Sequence, residues 1–408
     1  MDSPAEINPL RIDSDRGLAG FLDRITGCSS IAVDMESNGF HRYRERVCLV
    51  QIAAGGIVAL VDTIAIANIS ALGAIFADSR MEKIMHSTDY DLRSFDRDYG
   101  FRFHNIFDTS VAASFAGSRM LGLGTILSEY LGVEIAKSKR LQRHDWSARP
   151  ISEEAVRYAA LDVLHLHALR EVLAGRLNEL GRMSWVREEC DRLEAIRYCP
   201  PEPPETAFLS VKGVRSLKPR ERAVFRELYL LREREAAEAD RPPFKVFSSN
   251  LMMQLSQHPE AEITEFDGIP PSRKQRLMAE IREAVRRGLE APPVPYNGKP
   301  ENFRGRMEPD ASALLAGMKE WRTRTGNELG IDPALVWPAK SLEELACGCN
   351  GSGTAGSGTA GSGTDGELRK NGIPLVRNWQ REQFGESLRE LLINPVKPVT
   401  PVDEALVG

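Results

Sequence analysis

Ile31-Ala32-Val33-Asp34-Met35-Glu36 runs from an apolar strand into two carboxylates separated by one residue. Side chains alternate across a strand, so Asp34 and Glu36 project to the same side and can grip one divalent cation together. A lone Asp-x-Glu is ordinary at a strand end, and further acids downstream give this one weight. They are Asp91, in His86-Ser-Thr-Asp-Tyr-Asp91, and Asp162, in Tyr158-Ala-Ala-Leu-Asp162. Four apart on a helix, Tyr158 and Asp162 share a face and can reach into one site. Four acids and a phenol suggest two-metal phosphodiester hydrolysis. The bland alternative for Asp91, beside Asp89, Asp96 and Asp98, is helix capping or surface charge.

The order Asp-x-Glu, Tyr90-Asp91, Tyr158-x-x-x-Asp162 resembles the DEDDy branch of 3′–5′ exonucleases, and within it the ribonuclease D family. Phe107-Asp-Thr109 with Ala112-Ala113 behind it, Leu123-Gly-Thr-Ile-Leu127, Leu131-Gly-Val133, and Lys139 through Asp145-Trp146 to Arg149-Pro150 extend the likeness over the first half of the chain. His86 stands where many relatives carry Asn. The family pattern sets its acid after an aromatic residue, which favours Asp91 over Asp89. The resemblance implies a ribonuclease-H-like α/β domain with a mixed sheet, and two divalent cations, Mg²⁺ or Mn²⁺. It further implies that Asp34 bridges the two ions, that Glu36 and Asp162 complete the nucleophile's ion, and that Asp91 holds the other partly through water. Tyr158 would align the attacking water rather than act as a strong base, because its ordinary pKa is about 10.

Short apolar runs at Ile31 to Val33, Val47 to Ala53 and Ile57 to Val61 read as three antiparallel strands, with a hairpin at Ala53-Ala-Gly-Gly56. Further strands at Lys83 to Met85 and Asn105 to Phe107 precede helices around Leu121 to Leu131 and Ser152 to Leu173. The exonuclease-like domain is expected over residues 1–199, ending at the proline-rich Cys199-Pro-Pro-Glu-Pro-Pro204, a semi-rigid spacer. Residues 206–290 read as several helices, with Val224, Leu228 and Leu231 on one face and a break at Arg241-Pro-Pro243. Arg232, Ala236, Asp240-Arg-Pro242 and Ile269-Pro270 resemble the small helical HRDC domain. After Ala291-Pro-Pro-Val-Pro295, residues 308–393 resemble a degenerate second copy through Trp321-Arg322, Glu328-Leu-Gly330 and Trp379. That copy is interrupted by a Gly/Ser/Thr linker over 348–366, which lacks the side chains to build a core. The final helix, around Val376 to Leu392, can still dock across it.

At 408 residues the chain is long enough for two or three domains, and its net charge of −5 excludes a generally basic nucleic-acid coat. Six scattered cysteines, Cys28, Cys48, Cys190, Cys199, Cys347 and Cys349, lack zinc spacing and suit a reducing compartment. No segment has the apolar length of a membrane span, so a soluble cytoplasmic protein with no membrane partner is expected; a monomer without an organic cofactor is expected as well.

Binding to a polyanion must then use local patches. Lys137, Lys139, Arg140, Arg143 and Arg149 crowd one stretch and could clamp a phosphate backbone, with Gln142 beside them. Trp146 reads as a packing anchor. Met35 lies between the first two acids, and Phe40, His41 and Tyr43 follow them as candidates to stack terminal bases. Arg220, Arg222, Arg226, Arg232 and Arg234 are interleaved with glutamates and signal mainly a solvated helix. The resemblance points to RNA with a single-stranded 3′ end, transfer-RNA precursors first. Rival readings are a 3′–5′ DNA exonuclease and an inactive RNA-binding scaffold.

Overall fold

The computed structural model describes residues 8–135, 138–263, 271–296, 307–348 and 376–394. Ala136, Lys137, Ile269-Pro270, Cys349 and the Gly/Ser/Thr stretch lie outside the described residues. The strands are β1 (Leu10–Ile12), β2 (Ser30–Ser37), β3 (Val47–Ala54), β4 (Ile57–Asp62), β5 (Glu82–Met85) and β6 (Ile106–Asp108). They form one mixed sheet in the order β1-β4-β3-β2-β5-β6. β3 runs antiparallel to both β2 and β4, while β1 pairs in parallel with β4, β5 with β2 and β6 with β5. The hairpin expected at Ala53–Gly56 is present, and Gly55 and Gly56 take φ of +54° and +77°, a pair of left-handed values that suits glycine. β1, too short to announce itself in the sequence, pairs with the outer edge of β4.

Helices cover both faces of the sheet. α1 (Asp15–Ile25), α2 (Ser70–Ala77) and α3 (Asp89–Tyr99) pack Leu18, Phe21, Leu72, Phe76 and Phe95 against Ile31, Val33, Val50 and Ile52. The opposite face carries α4 (Thr109–Ala116), α5 (Leu123–Leu131), α6 (Lys139–Gln142), α7 (Glu153–Leu164), α8 (Leu166–Glu179) and α9 (Met183–Leu193). The helix expected through Ser152 to Leu173 is therefore two helices. His165, at φ −100° and ψ 0°, leaves helical geometry between them, so α7 lies on the central strands while α8 packs on α4.

The next helices are α10 (Pro204–Ala207), α11 (Pro219–Glu238), α12 (Ser249–Gln257) and α13 (Pro271–Glu290). Val224, Leu228 and Leu231 share a buried core with Leu251, Ile281 and Val285, as their spacing predicts. α11 and α13 approach so closely that a Cβ on Gly288 would lie 2.4 Å from the Val224 Cα. The last helices, α14 (Pro309–Leu329), α15 (Pro333–Val336), α16 (Ala339–Gly348) and α17 (Asn378–Ile393), do not stand apart. Trp321, Trp337, Trp379, Phe384 and Leu388 belong to the same apolar core as Phe115, Trp185 and Cys190. The final helix does dock: Trp379 stacks on Trp185 at 4.9 Å between ring centroids and donates its indole N–H to Glu189. Among the described residues no helix is long and apolar enough to cross a membrane.

Removing this stacked ring leaves a cavity in a core that joins α9 to α17. Trp379→Ala is expected to cost about 3–5 kcal/mol of unfolding free energy, and a urea midpoint equal to that of the parent would refute the shared core.

Candidate active site

Pleating decides which way the first acids face. Ile31, Val33 and Met35 point into the core beneath α1 to α3, so Asp34 and Glu36, at the other parity, face α7. The β2–β3 register shifts between Glu36 and Ser37, a bulge that ends regular pairing beside the site. Asp91 stands in the first turn of α3 and is buried, and Asp162 stands in the last turn of α7. Three elements thus bring four carboxylates near one another, with Tyr158 one helical turn from Asp162.

Electrostatics record the proximity. Protein crowding pushes the Asp34 carboxyl up to about 6, although the Met35 backbone N–H bonds it and acts in the opposite sense. Burial, followed by the charges of Asp34, Asp162 and Asp91, holds Glu36 well above the usual carboxylate range. Asp91 is raised by burial and then by Asp34, Asp108 and Asp162; Asp162 is raised by burial and then by Asp34. Among the described residues no Lys or Arg charge offsets these four. Tyr158 is also raised, first by burial and then by Asp162, Glu36 and Asp34, against the effect of a hydrogen bond with Gln142. Its phenol therefore stays protonated at neutral pH and is a hydrogen-bonding group rather than a base.

Among the described residues no three His, Cys, Asp or Glu side chains are drawn close enough to hold one ion as they stand. The donor chemistry nevertheless fits hard divalent cations: the groups are acceptor-only carboxylates, crowded together without an opposite charge. Asp34, Glu36, Asp91 and Asp162 are the residues that would hold them.

The neighbouring acids have other tasks. Asp89 pairs with Arg93 at 2.8 Å, Asp96 accepts from the Tyr198 N–H at 2.7 Å, and Asp98 accepts from the Val47 N–H at 2.6 Å. Of the four acids on α3, Asp91 alone is buried. Asp108, quoted above only as part of a motif, is a positioning residue. It caps α4 through the Ser110 and Val111 N–H groups and accepts from the Thr88 N–H at 2.9 Å, fixing the turn from which α3 departs. His86 Nδ1 lies 2.9 Å from Thr109 Oγ1, and burial lowers its pKa.

The substrate-binding candidates divide. The Met35 side chain lies in the core on the far face, so it cannot touch a ligand at the acids; period-two alternation excludes it. His41 donates to the Arg143 carbonyl at 2.7 Å and so tethers the basic loop. Tyr43 packs with the helical core of α11 to α13, its backbone N–H bonding Asp240 and its hydroxyl Glu233, which removes it as a base stacker. Arg149 binds Asp62 at 2.6 Å and the Cys48 carbonyl, and Arg140 pairs with Glu154. That leaves Lys139 and Arg143 exposed and without a salt bridge among the described residues, and Phe40 half exposed. Trp146 is buried beside Tyr158, with ring centroids 6.2 Å apart, and is a packing anchor. In α11, Arg222 and Arg232 are buried, and Arg222 bonds backbone carbonyls, so neither is offered to a ligand.

The chain is similar to known proteins over most of its length. A 3′–5′ exonuclease family model matches residues 10–178, and an HRDC-domain model matches residues 221–284. Ribonuclease D of Gluconacetobacter diazotrophicus is 28% identical over 389 residues, 93% of this chain and 91% of that protein. The crystal structure of Escherichia coli RNase D superimposes with a TM-score of 0.66 at 23% identity, over 96% of this chain and 100% of that one. The catalytic core of RRP6 from Trypanosoma brucei gives 0.61 at 24% identity, over 71% and 81% of the two chains. These two structures share the fold.

An acid whose folded pKa is raised binds more protons folded than unfolded, so stability falls as pH rises from the unfolded value through the folded one. In EDTA the four raised acids are expected to cost stability from about pH 4 upward through pH 6, and Asp34→Asn to remove part of that cost. Calorimetry should find the variant melting above the parent at pH 8 and level with it at pH 4; equal melting at both would refute the electrostatic load on Asp34.

Proposed function

Because the chain belongs to the ribonuclease D family of 3′–5′ exonucleases, we propose that it is a metal-dependent 3′–5′ exoribonuclease that releases 5′-mononucleotides. The observation that carries this reading is the convergence of Asp34, Glu36, Asp91 and Asp162 from β2, α3 and α7, with the Tyr158 phenol beside Asp162, Glu36 and Asp34. Two divalent cations, Mg²⁺ or Mn²⁺, held by these four acids would supply Lewis acidity there, lowering the pKa of water and offsetting charge on the leaving oxygen.

The chain's own groups do the rest. Asp34 and Glu36 are held by the strand, Asp162 by α7, and Asp91 by a helix tied down through Asp108. Tyr158, kept protonated and bonded to Gln142, orients the attacking water without accepting its proton. Lys139 and Arg143 are free to meet phosphates, which position a strand without reading its sequence.

The substrate class we favour is structured RNA with a single-stranded 3′ tail, transfer-RNA precursors first, acted on by a cytoplasmic monomer. We divide the chain into an exonuclease domain over 1–199, an HRDC-like domain over 206–290 and a degenerate second copy over 308–393.

A 5′-labelled RNA hairpin with a 3′ tail, incubated in Mg²⁺ and then Mn²⁺ beside the matched DNA, tests the reading. Stepwise shortening from the 3′ end that needs metal and disappears in Asp34→Asn is expected, faster on RNA than on DNA. Intact strands under both metals would leave only a binding protein, and a faster DNA reaction would reassign the substrate. Tyr158→Phe is expected to lower kcat about 10²-fold with little change in the metal concentration required.

A further inference from the structure

The loop between β2 and β3 meets α11 to α13 along a seam that is polar and open. Arg42 staples it, with Nη1 3.8 Å from Asp240 on the helical side and Nη2 3.6 Å from Asp145 in the basic loop. Beside this staple lies a cavity of about 590 Å³, lined by Arg42, Arg44 and Arg46 with Ser147 and Asp240. Arg44 and Arg46 are exposed, and among the described residues neither forms a salt bridge. At the same seam two phenylalanines from different parts of the chain meet in water: Phe40, 50% exposed, and Phe244, 58% exposed, with ring centroids 6.5 Å apart at 75°. The Arg143 guanidinium lies 5.9 Å from the Phe40 ring centroid.

Two large rings kept half in water are costly unless something covers them, and the chemistry around them says what. Aromatic faces beside a guanidinium accept nucleobases of any kind, and unpaired arginines beside them accept phosphates. The loop that carries Phe40 follows β2, which ends at Ser37, so Phe40 stands four residues along the chain from Glu36. We propose that Phe244, with Phe40 and Arg143, forms a base-stacking platform for the single-stranded RNA tail, and that Arg44 and Arg46 take its phosphates. This gives the helical domain a direct grip on the substrate. The proposal rests on the exoribonuclease reading and deepens it.

Binding and turnover separate the two claims. Affinity is measured by fluorescence anisotropy for a labelled oligoribonucleotide of 12 residues and one of three, using Asp34→Asn protein in EDTA so that nothing is degraded. Adding Phe244→Ala is expected to weaken the longer strand about tenfold and the shorter one much less, and Phe244→Trp to restore the loss. Replacing Arg44 and Arg46 by Ala should flatten the dependence of log affinity on log salt by about 1.4, about 0.7 for each phosphate no longer neutralised. Unchanged affinity in Phe244→Ala, or an equal loss for both lengths, would overturn the platform. Turnover by the parent protein is read separately: if it degrades no RNA, the exoribonuclease reading fails whatever the anisotropy reports.

A second, independent observation concerns Gln51. It interrupts the apolar run of β3, is fully buried, and neither its Oε1 nor its Nε2 has a partner. β-sheet register sets it directly opposite Asp34, so the two side chains share the face beneath α7. An amide left unpaired in a core is destabilising, and replacement by an apolar side chain of similar size would stabilise. The geometry points to Gln51 as a positioning residue that holds the Asp34 carboxylate, directly or through one water, when the site is charged with cations.

Gln51→Met is the test, read by melting temperature in EDTA and by Mn²⁺ binding in electron paramagnetic resonance titration. The expected pattern is opposed: a higher melting temperature without metal and a Mn²⁺ affinity weakened about 10-fold, within the 10- to 100-fold cost typical of groups that orient metal ligands. Unaltered Mn²⁺ affinity would make Gln51 a packing residue only and sink the assignment.

Discussion

Mutual repulsion among Asp34, Glu36, Asp91 and Asp162 is the constraint against which the architecture is built. Burial removes the water that would soften their charges, and each of Glu36, Asp91 and Asp162 is raised further by the acids beside it. Each large apolar side chain buried behind the acids returns about 1.5–3 kcal/mol. Ile31 and Val33 hold β2, Leu92 and Phe95 hold α3, and Val156 and Val163 hold α7, all buried. Packing on three elements opposes the repulsion, and it holds in place the backbones that carry the acids.

Much of this was legible in the sequence because it depends on short periods. The pair at Asp34 and Glu36, the helical spacing of Tyr158 and Asp162, and the face made by Val224, Leu228 and Leu231 are all properties of a few consecutive residues. Asp91 required the resemblance to separate it from Asp89, since both lie in the same turn; burial, which distinguishes them, is a tertiary fact. Met35 was misjudged although its own strand argued against it: neighbours of Asp34 on β2 must point the other way. The break at His165 carries no proline or glycine, so nothing local announces it. Tyr43 was misread for a different reason. Its partners, Glu233 and Asp240, lie nearly two hundred residues away, and no local pattern reports such a contact. Gln51 reads locally as a single amide in an apolar strand, and only the sheet register sets it opposite Asp34.

The two helical regions are attached by different physics, and the difference bears on function. α14 to α17 share an apolar core with α4 and α9, reinforced where Arg182 donates to the Phe115 and Leu329 carbonyls at 2.8 and 2.7 Å. Arg377 adds a bond to Glu189 at 2.9 Å. Gly117 and the Gly330 carbonyl come so near that a Cβ would stand 3.1 Å from the oxygen. Such an interface is spent on cohesion, since its rings and charges are used up internally. The seam with α11 to α13 is held instead by the Arg42 staple, the Tyr43 bonds and one aromatic edge, which leaves Phe40, Phe244, Arg44 and Arg46 facing water. The side with the weaker attachment is therefore the side that keeps aromatic and cationic groups exposed to solvent.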